Sequence, residues 1–214
     1  MDLLQKKTLE VSRKYTYTYY TKSADAGQQT ILLIHGWPDS AALWTQVIRD
    51  YLVPQGFGVV AIDCLGYAGT SKPTEPKEYN FKDMTQDLVD ILDKEGLSKV
   101  ISLGHDWGSA LAGRLYNFHP DRCSGLVLLN VAYMVPSGEP FDLDKSLEAT
   151  EKIFGRGLFW YWKVFGDAEG AKLLNSRVES VYTVAHGRRH LPVDSNIANP
   201  STGKPETWLD TFCA

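Results

Sequence analysis

Gly104-His105-Asp106-Trp107-Gly108 stands between an apolar run that ends at Leu103 and a stretch of helical character from Ser109 to Phe118. It has the form G-x-nucleophile-x-G, with aspartate where serine is more usual. The flanking glycines permit a sharp strand-to-helix turn, which lifts the central side chain above a sheet and sets it at a helix N-terminus. The helix dipole favours a carboxylate there. A partly dehydrated carboxylate is a competent nucleophile toward an electrophilic carbon. The plainer alternative is that Asp106 only caps its helix.

The segments on either side fit a parallel sheet. Ile31-Leu32-Leu33-Ile34 is apolar at every position, as a strand buried on both faces requires, and it runs into His35-Gly36-Trp37-Pro38. Asp39 or Ser40 then caps a helix with Leu43, Trp44, Val47, Ile48 and Tyr51 expected on one face. Gly58 to Ile62 is the next strand, followed by a loop rich in Gly, Pro, Ser and Thr from Cys64 to Pro76. Asp63, at the head of that loop, reads as loop structure rather than chemistry. Asn80 caps a helix striped by Met84, Leu88, Ile91 and Leu92 and ended by Gly96. Lys99 to Leu103 and Gly125 to Val131 read as strands, and two short β-rich segments, Thr8 to Val11 and Tyr15 to Tyr20, precede the whole. Strand and helix alternating over about 30–131 predict a mostly parallel sheet with helices on both faces.

After Val131 the strand signal stops. Helices are expected over Asp144 to Phe154 and Asp167 to Ala185, with the aromatic cluster Phe159-Trp160-Tyr161-Trp162 between them. From Gly187 the chain is polar, with no period of either kind. The expected division is therefore 1–131 as a sheet core, 132–186 as a partial helical cap and 187–214 as an irregular tail.

The two motifs that follow buried strands act together. In a fold with such an elbow, the loop after the earlier strand gives one backbone N–H of an oxyanion hole and the residue after the nucleophile gives the other. Here these are Trp37 and Trp107, and Pro38 is a candidate to follow a cis peptide bond. His35 reads as a structural histidine bonded to local backbone.

His35-Gly36-Trp37-Pro38-Asp39, Leu65-Gly66-Tyr67-Ala68-Gly69-Thr70 and Gly104-His105-Asp106-Trp107-Gly108, in that order and spacing, resemble the soluble epoxide hydrolases, especially the fungal ones, of the α/β-hydrolase superfamily. The likeness covers roughly residues 1 to 185. It implies an α/β-hydrolase fold in which Asp106 opens an epoxide to give an ester, which a histidine-activated water then hydrolyses to a vicinal diol. It also implies that a cap tyrosine, matched by Tyr161, polarises the epoxide oxygen. His35, Pro38 and Trp160 are then expected to line the substrate pocket. The superfamily order is nucleophile, acid, histidine. No strand-borne acid or histidine follows the cap here, so the reading is of a C-terminally truncated member with an incomplete sheet edge and slow or single turnover. Haloalkane dehalogenases share the aspartate chemistry but usually carry Asn at the position of Trp37, which favours an epoxide. A non-catalytic fragment is the reading of another class.

Composition narrows the partners. A formal net charge of −4 and the lack of any Lys/Arg block speak against nucleic acid. No apolar run reaches the ~20 residues of a membrane span, and Met1-Asp2-Leu3-Leu4-Gln5-Lys6-Lys7 has no signal-peptide core. Cys64, Cys123 and Cys213 have no metal-ligand spacing and read as free thiols. The expectation is a cytoplasmic protein with no metal or organic cofactor, a small apolar epoxide as substrate, and self-association through the exposed edge of its last strand.

Overall fold

The structure, a computed structural model, describes residues 1–138, 141–178 and 181–182. They fall into two compact units, Met1–Pro136 and a second that starts at Ser137.

The first unit is built on a six-stranded sheet. Its strands are β1 (Gln5–Glu10), β2 (Thr16–Lys22), β3 (Thr30–Ile34), β4 (Gly58–Ile62), β5 (Val100–His105) and β6 (Cys123–Leu129). They lie in the order β1-β2-β4-β3-β5-β6. The β1–β2 and β2–β4 pairs are antiparallel, and the remaining pairs are parallel. Every residue of β3 and β4 is buried, as their unbroken apolar runs require.

Alternate strand residues feed two cores. Leu32, Ile34, Val60 and Ile62 join Leu88, Ile91 and Leu92 of α2 (Phe81–Lys94) and Leu111 and Leu115 of α3 (Trp107–Phe118). Ile31, Leu33, Val59 and Ala61 join Ala41, Trp44 and Ile48 on the other face. Asn80 caps α2 by accepting the Asp83 N–H at 3.0 Å, as its sequence position implied.

The helical stretch over 41–55 departs from expectation. It passes from 3₁₀ geometry through a short α1 (Thr45–Val47) and a π turn at Ile48–Leu52 to 3₁₀ again. This winding puts Ala41, Trp44 and Ile48 inward and leaves Leu43, Val47 and Tyr51 exposed. The five apolar residues therefore do not share one face. A wider turn shifts the period on which that grouping relied.

Strand order positions the site. From β3 the chain moves to β4 on one side, then returns to lay β5 on the other. In such sheets a crevice opens at the carboxyl ends of the two strands where the direction reverses. Those ends carry His35-Gly36-Trp37-Pro38 and Gly104-His105-Asp106-Trp107-Gly108.

The β1–β2 hairpin is tied to α2 through a buried ion pair. Asp87 is fully buried and its Oδ2 accepts from Arg13 Nη1 and from the Tyr17 hydroxyl, both at 2.9 Å. Its Oδ1 has no hydrogen-bond partner among the described residues. Burial pushes the carboxyl up to about 6, against the pull of the Tyr17 hydrogen bond and the Arg13 charge. A folded-state value above the unfolded ~3.9 means that the fold is favoured by protonation. That contribution is complete below pH ~4 and lost as pH rises through about 6. Asp87→Asn is therefore expected to raise stability at pH 8 by ~1–3 kcal/mol, an advantage that fades at pH 5. Arg13 keeps the Glu78 carbonyl at 2.7 Å in that variant. Urea unfolding at the two pH values checks it.

The second unit is helical. Asp142 caps α4 (Leu143–Phe154) through the Lys145 N–H, and Gly155, at φ 72°, closes it. Of the single helix expected from Asp167 to Ala185, of which 179–180 and 183–185 lie outside the described residues, the structure has α6 (Gly170–Ser176), preceded by α5 (Tyr161–Gly166). Between them Asp167 is extended and its side chain accepts the Glu169 N–H at 2.8 Å, a local turn that competes with helix. The expected tail at 187–214 lies outside the described residues.

Candidate active site

The backbone at Asp106 is in a conformation that L-residues rarely adopt, φ 55° and ψ −126°. Holding it there costs of order 1–3 kcal/mol, and three sets of contacts hold it. Its N–H donates to the Leu129 carbonyl (3.1 Å), and its carbonyl accepts the Ser109 N–H (2.9 Å). The buried Ser109 hydroxyl accepts the Leu129 N–H (3.1 Å) and gives its proton to the Gly104 carbonyl (2.7 Å). Gly104 and Gly108 supply the close approach: a Cβ on Gly104 would strike the Gly108 backbone, and one on Gly108 the Ile34 and His35 carbonyls. The elbow form in the sequence thus has a steric basis on both sides of the aspartate.

The loop after β3 meets this elbow. The Trp37 N–H donates to Asp106 Oδ1 at 2.9 Å. Gly36 makes that approach possible, since a side chain there would overlap the Asp106 side chain and the His105 carbonyl. The Trp37–Pro38 peptide bond is cis. Trp107, the residue after the nucleophile, opens α3.

His35 lies beneath this loop rather than facing an open surface, with 1% exposure. Its Nδ1–H donates to the Gly36 carbonyl at 2.7 Å, and its Nε2 accepts the Cys64 N–H at 3.0 Å. Both nitrogens serve the backbone, so the ring is neutral with its proton on Nδ1, and burial holds its pKa below the usual imidazole value. The adjoining Cys64 thiol is pushed up by burial, which makes it a packing group rather than a reactive one. His105, beside the nucleophile, pairs through Nε2 with Asn130 at 2.8 Å and stacks edge-on to Trp44.

Asp63, set aside in reading the sequence, is 2% exposed and accepts two backbone N–H groups, from Ala41 (2.9 Å) and Gly69 (3.3 Å). An aspartate between a buried strand and a glycine-bearing loop was the sequence signal for it. Thr70 completes the turn, with its hydroxyl donating to the Asp63 carbonyl at 2.7 Å.

Tyr161 and Trp160 belong to the second unit. Tyr161 begins α5, half-buried, with its ring edge-on to Phe165 and to Trp162. Trp160 is 38% exposed, and the Lys163 ammonium lies 4.6 Å from its ring. Among the described residues no group of three or more His, Cys, Asp or Glu is placed to hold a metal ion. No helix among them is long and apolar enough to cross a membrane.

Comparison with known proteins agrees with this fold. A family model described as alpha/beta hydrolase fold matches residues 29–208. Epoxide hydrolase B of Mycobacterium tuberculosis is 34% identical over 146 residues, 65% of this chain and 40% of that protein. Epoxide hydrolase srdG of Neurospora crassa is 31% identical over 144 residues, 64% of this chain and 42% of that protein. The crystal structure of epoxide hydrolase A from Mycobacterium thermoresistibile superposes with a TM-score of 0.71 at 26% identity, covering 86% of this chain and 56% of that one. The matched region therefore spans about two fifths of the length of these curated relatives.

Proposed function

The chain belongs to the alpha/beta hydrolase fold family, and from that membership we propose that it opens small apolar epoxides by forming an ester to Asp106. The observation that carries the reading is the 2.9 Å hydrogen bond from the Trp37 N–H to Asp106 Oδ1, which joins the two motifs at the ends of β3 and β5. With Oδ1 held, Oδ2 is the attacking oxygen. It bonds to a ring carbon, the carbon–oxygen bond of the ring breaks, and its electron pair passes to the ring oxygen. Tyr161, carried on a cap assigned to residues 132–186, gives that oxygen its phenolic proton. Strain in the ring and this proton together offset the poor leaving ability of an alkoxide.

The donor on Oδ1 has a second use. Once Oδ2 is alkylated, Oδ1 is the ester carbonyl oxygen, and it becomes the oxyanion when water attacks. The Trp37 N–H is already on that atom, and the Trp107 N–H is the proposed second donor. Pro38 and Trp160 are the proposed pocket walls, and His35 shapes the loop from below. Hydrolysis of the ester also needs a base to take a proton from water. Among the described residues His35 spends both ring nitrogens on backbone and does not serve as that base, and the ester is proposed to outlive its formation. No metal or organic cofactor enters these steps. The supporting names are those of the relatives, all epoxide hydrolases.

Incubating the full chain with styrene oxide tests the reading. The expected result is an intact-mass increase of one epoxide, mapped by peptide sequencing to Asp106, with little diol formed. Adduct at another residue overturns it, and halide release from a chloroalkane without epoxide capture favours a dehalogenase. The reducing cytoplasm is the proposed compartment, in keeping with the buried free thiols Cys64 and Cys123. Self-association along the outer side of β6, where Val127 and Leu129 are 39% and 40% exposed, is likewise proposed. A single monomer peak in concentrated size-exclusion runs overturns that.

A further inference from the structure

Two loops meet beside the nucleophile, 35–41 after β3 and 63–70 after β4, and each sends a buried side chain into the other. His35 of the first accepts the Cys64 N–H of the second through Nε2 at 3.0 Å. Asp63 of the second accepts the Ala41 N–H of the first through Oδ1 at 2.9 Å, while its Oδ2 takes the Gly69 N–H of its own loop at 3.3 Å. Neither side chain is more than 2% exposed. Trp37, whose N–H holds Asp106 Oδ1, lies between His35 and Ala41, the two points at which the first loop is fastened.

From this crossed latch we infer that Asp63 is a positioning residue for the nucleophile: it fixes the far end of the loop that aims the Trp37 N–H at Asp106. The near end is fixed by β3 and by His35. Without Asp63 the Ala41 N–H loses its acceptor, and the loop between the two anchors swings on one. The second loop loosens with it, because the same carboxylate closes its turn at Gly69 and Thr70 hangs from the Asp63 carbonyl. Asp63 touches neither substrate nor Asp106 in this role. It acts through the direction of one backbone N–H, so its effect falls on the rate of ester formation rather than on epoxide binding.

The choice of aspartate follows from the donors. Two N–H groups converge on the side chain, and a carboxylate is acceptor-only on both oxygens. Asparagine keeps one acceptor and turns an NH2 toward the other donor, so Asp63→Asn is expected to fall between the unaltered chain and Asp63→Ala.

The inference rests on the reading of Asp106 as nucleophile, and the experiment separates the two. Hydrogen–deuterium exchange of the segment 36–42 is measured in the full chain, in Asp63→Asn and in Asp63→Ala, beside the rate of styrene oxide capture as a function of its concentration. Ile91→Val, a core change in α2 outside both loops, is the control for general loss of stability. Expected are faster exchange over 36–42 in both Asp63 variants and a maximal capture rate lowered ~10-fold or more in Asp63→Ala. Asp63→Asn is expected to be intermediate, with half-saturation in both variants within about twofold of the unaltered chain, as for loss of an interaction made only in the transition state. Ile91→Val should leave both readouts unchanged. Unaltered exchange over 36–42 overturns the latch, and faster exchange with an unaltered capture rate overturns the positioning role. Should Asp63→Ala fail to fold, the isosteric Asp63→Asn carries the same test. Absence of adduct in the unaltered chain defeats the nucleophile reading alone, since the exchange measurement still decides whether Asp63 holds the loop.

Discussion

Substituting Asp106 by asparagine will abolish covalent capture of an epoxide, with a fall in rate of at least ~10³-fold, or ~4 kcal/mol in barrier. An amide oxygen carries no full negative charge and is a far weaker nucleophile toward carbon than a carboxylate. The substitution changes no volume. The amide oxygen can still accept the Trp37 N–H that Oδ1 accepts now, so the elbow is expected to stay folded and a loss of capture to report chemistry. Intact-mass spectrometry of the two proteins under the same exposure to styrene oxide reads the effect, and circular dichroism confirms that both are folded. Equal labelling would mean that capture occurs elsewhere and that Asp106 only occupies the cap position of its helix. Tyr161→Phe is the companion variant. It removes one proton donor from the second unit, and should slow capture by a smaller factor, ~10²-fold, in the range of general acid catalysis.

Much of this arrangement was legible in the sequence because the chemistry and the sterics share residues. The apolar runs at 31–34 and 58–62 read directly as fully buried strands. Asn80, Met84, Leu88, Ile91 and Leu92 fixed a helix by cap and period, and Gly104 and Gly108 marked a turn that tolerates no side chains. Less was legible where geometry departs from a simple repeat. The 41–55 stretch changes its winding three times, so a single period misassigned Leu43, Val47 and Tyr51. Asp167 looked like the start of a helix that in fact begins only at Gly170, because its side chain accepts the Glu169 N–H in a local turn. Asp63 looked incidental, since two of its partners, Ala41 and Gly69, are distant backbone amides that leave no trace in residue type. Side chains that bond to side chains leave a pattern of pairs, whereas side chains that bond to remote backbone leave only a polar residue in a buried place.

The two glycines of α3 should respond in opposite senses to the same change. Gly108→Ala is expected to destabilise the fold by ~3 kcal/mol or more, the upper range for overpacking. Its new methyl meets the carbonyl oxygens of Ile34 and His35, which are backbone at the end of the central strand and cannot turn aside. Ile34 pairs with Ile62 on one side and Gly104 on the other, so any retreat of β3 strains both of its ladders. Gly113→Ala, five residues further along, is expected to stabilise by ~0.5–1 kcal/mol, the difference in helix propensity between the two residues. There the methyl comes to rest 3.6 Å from the Tyr133 ring, an ordinary contact that fills space. For a chain of this length such values correspond to a fall in melting temperature of ~6–12 °C and a rise of ~1–4 °C. Because both variants sit in one helix, propensity cannot account for a difference in sign, and only the approach of α3 to the end of β3 can. If Gly108→Ala melts with the parent chain, α3 does not approach the end of β3 closely enough to exclude a methyl. Asp106, held between Gly104 and Gly108, would then lack the constraint that keeps it at φ 55°.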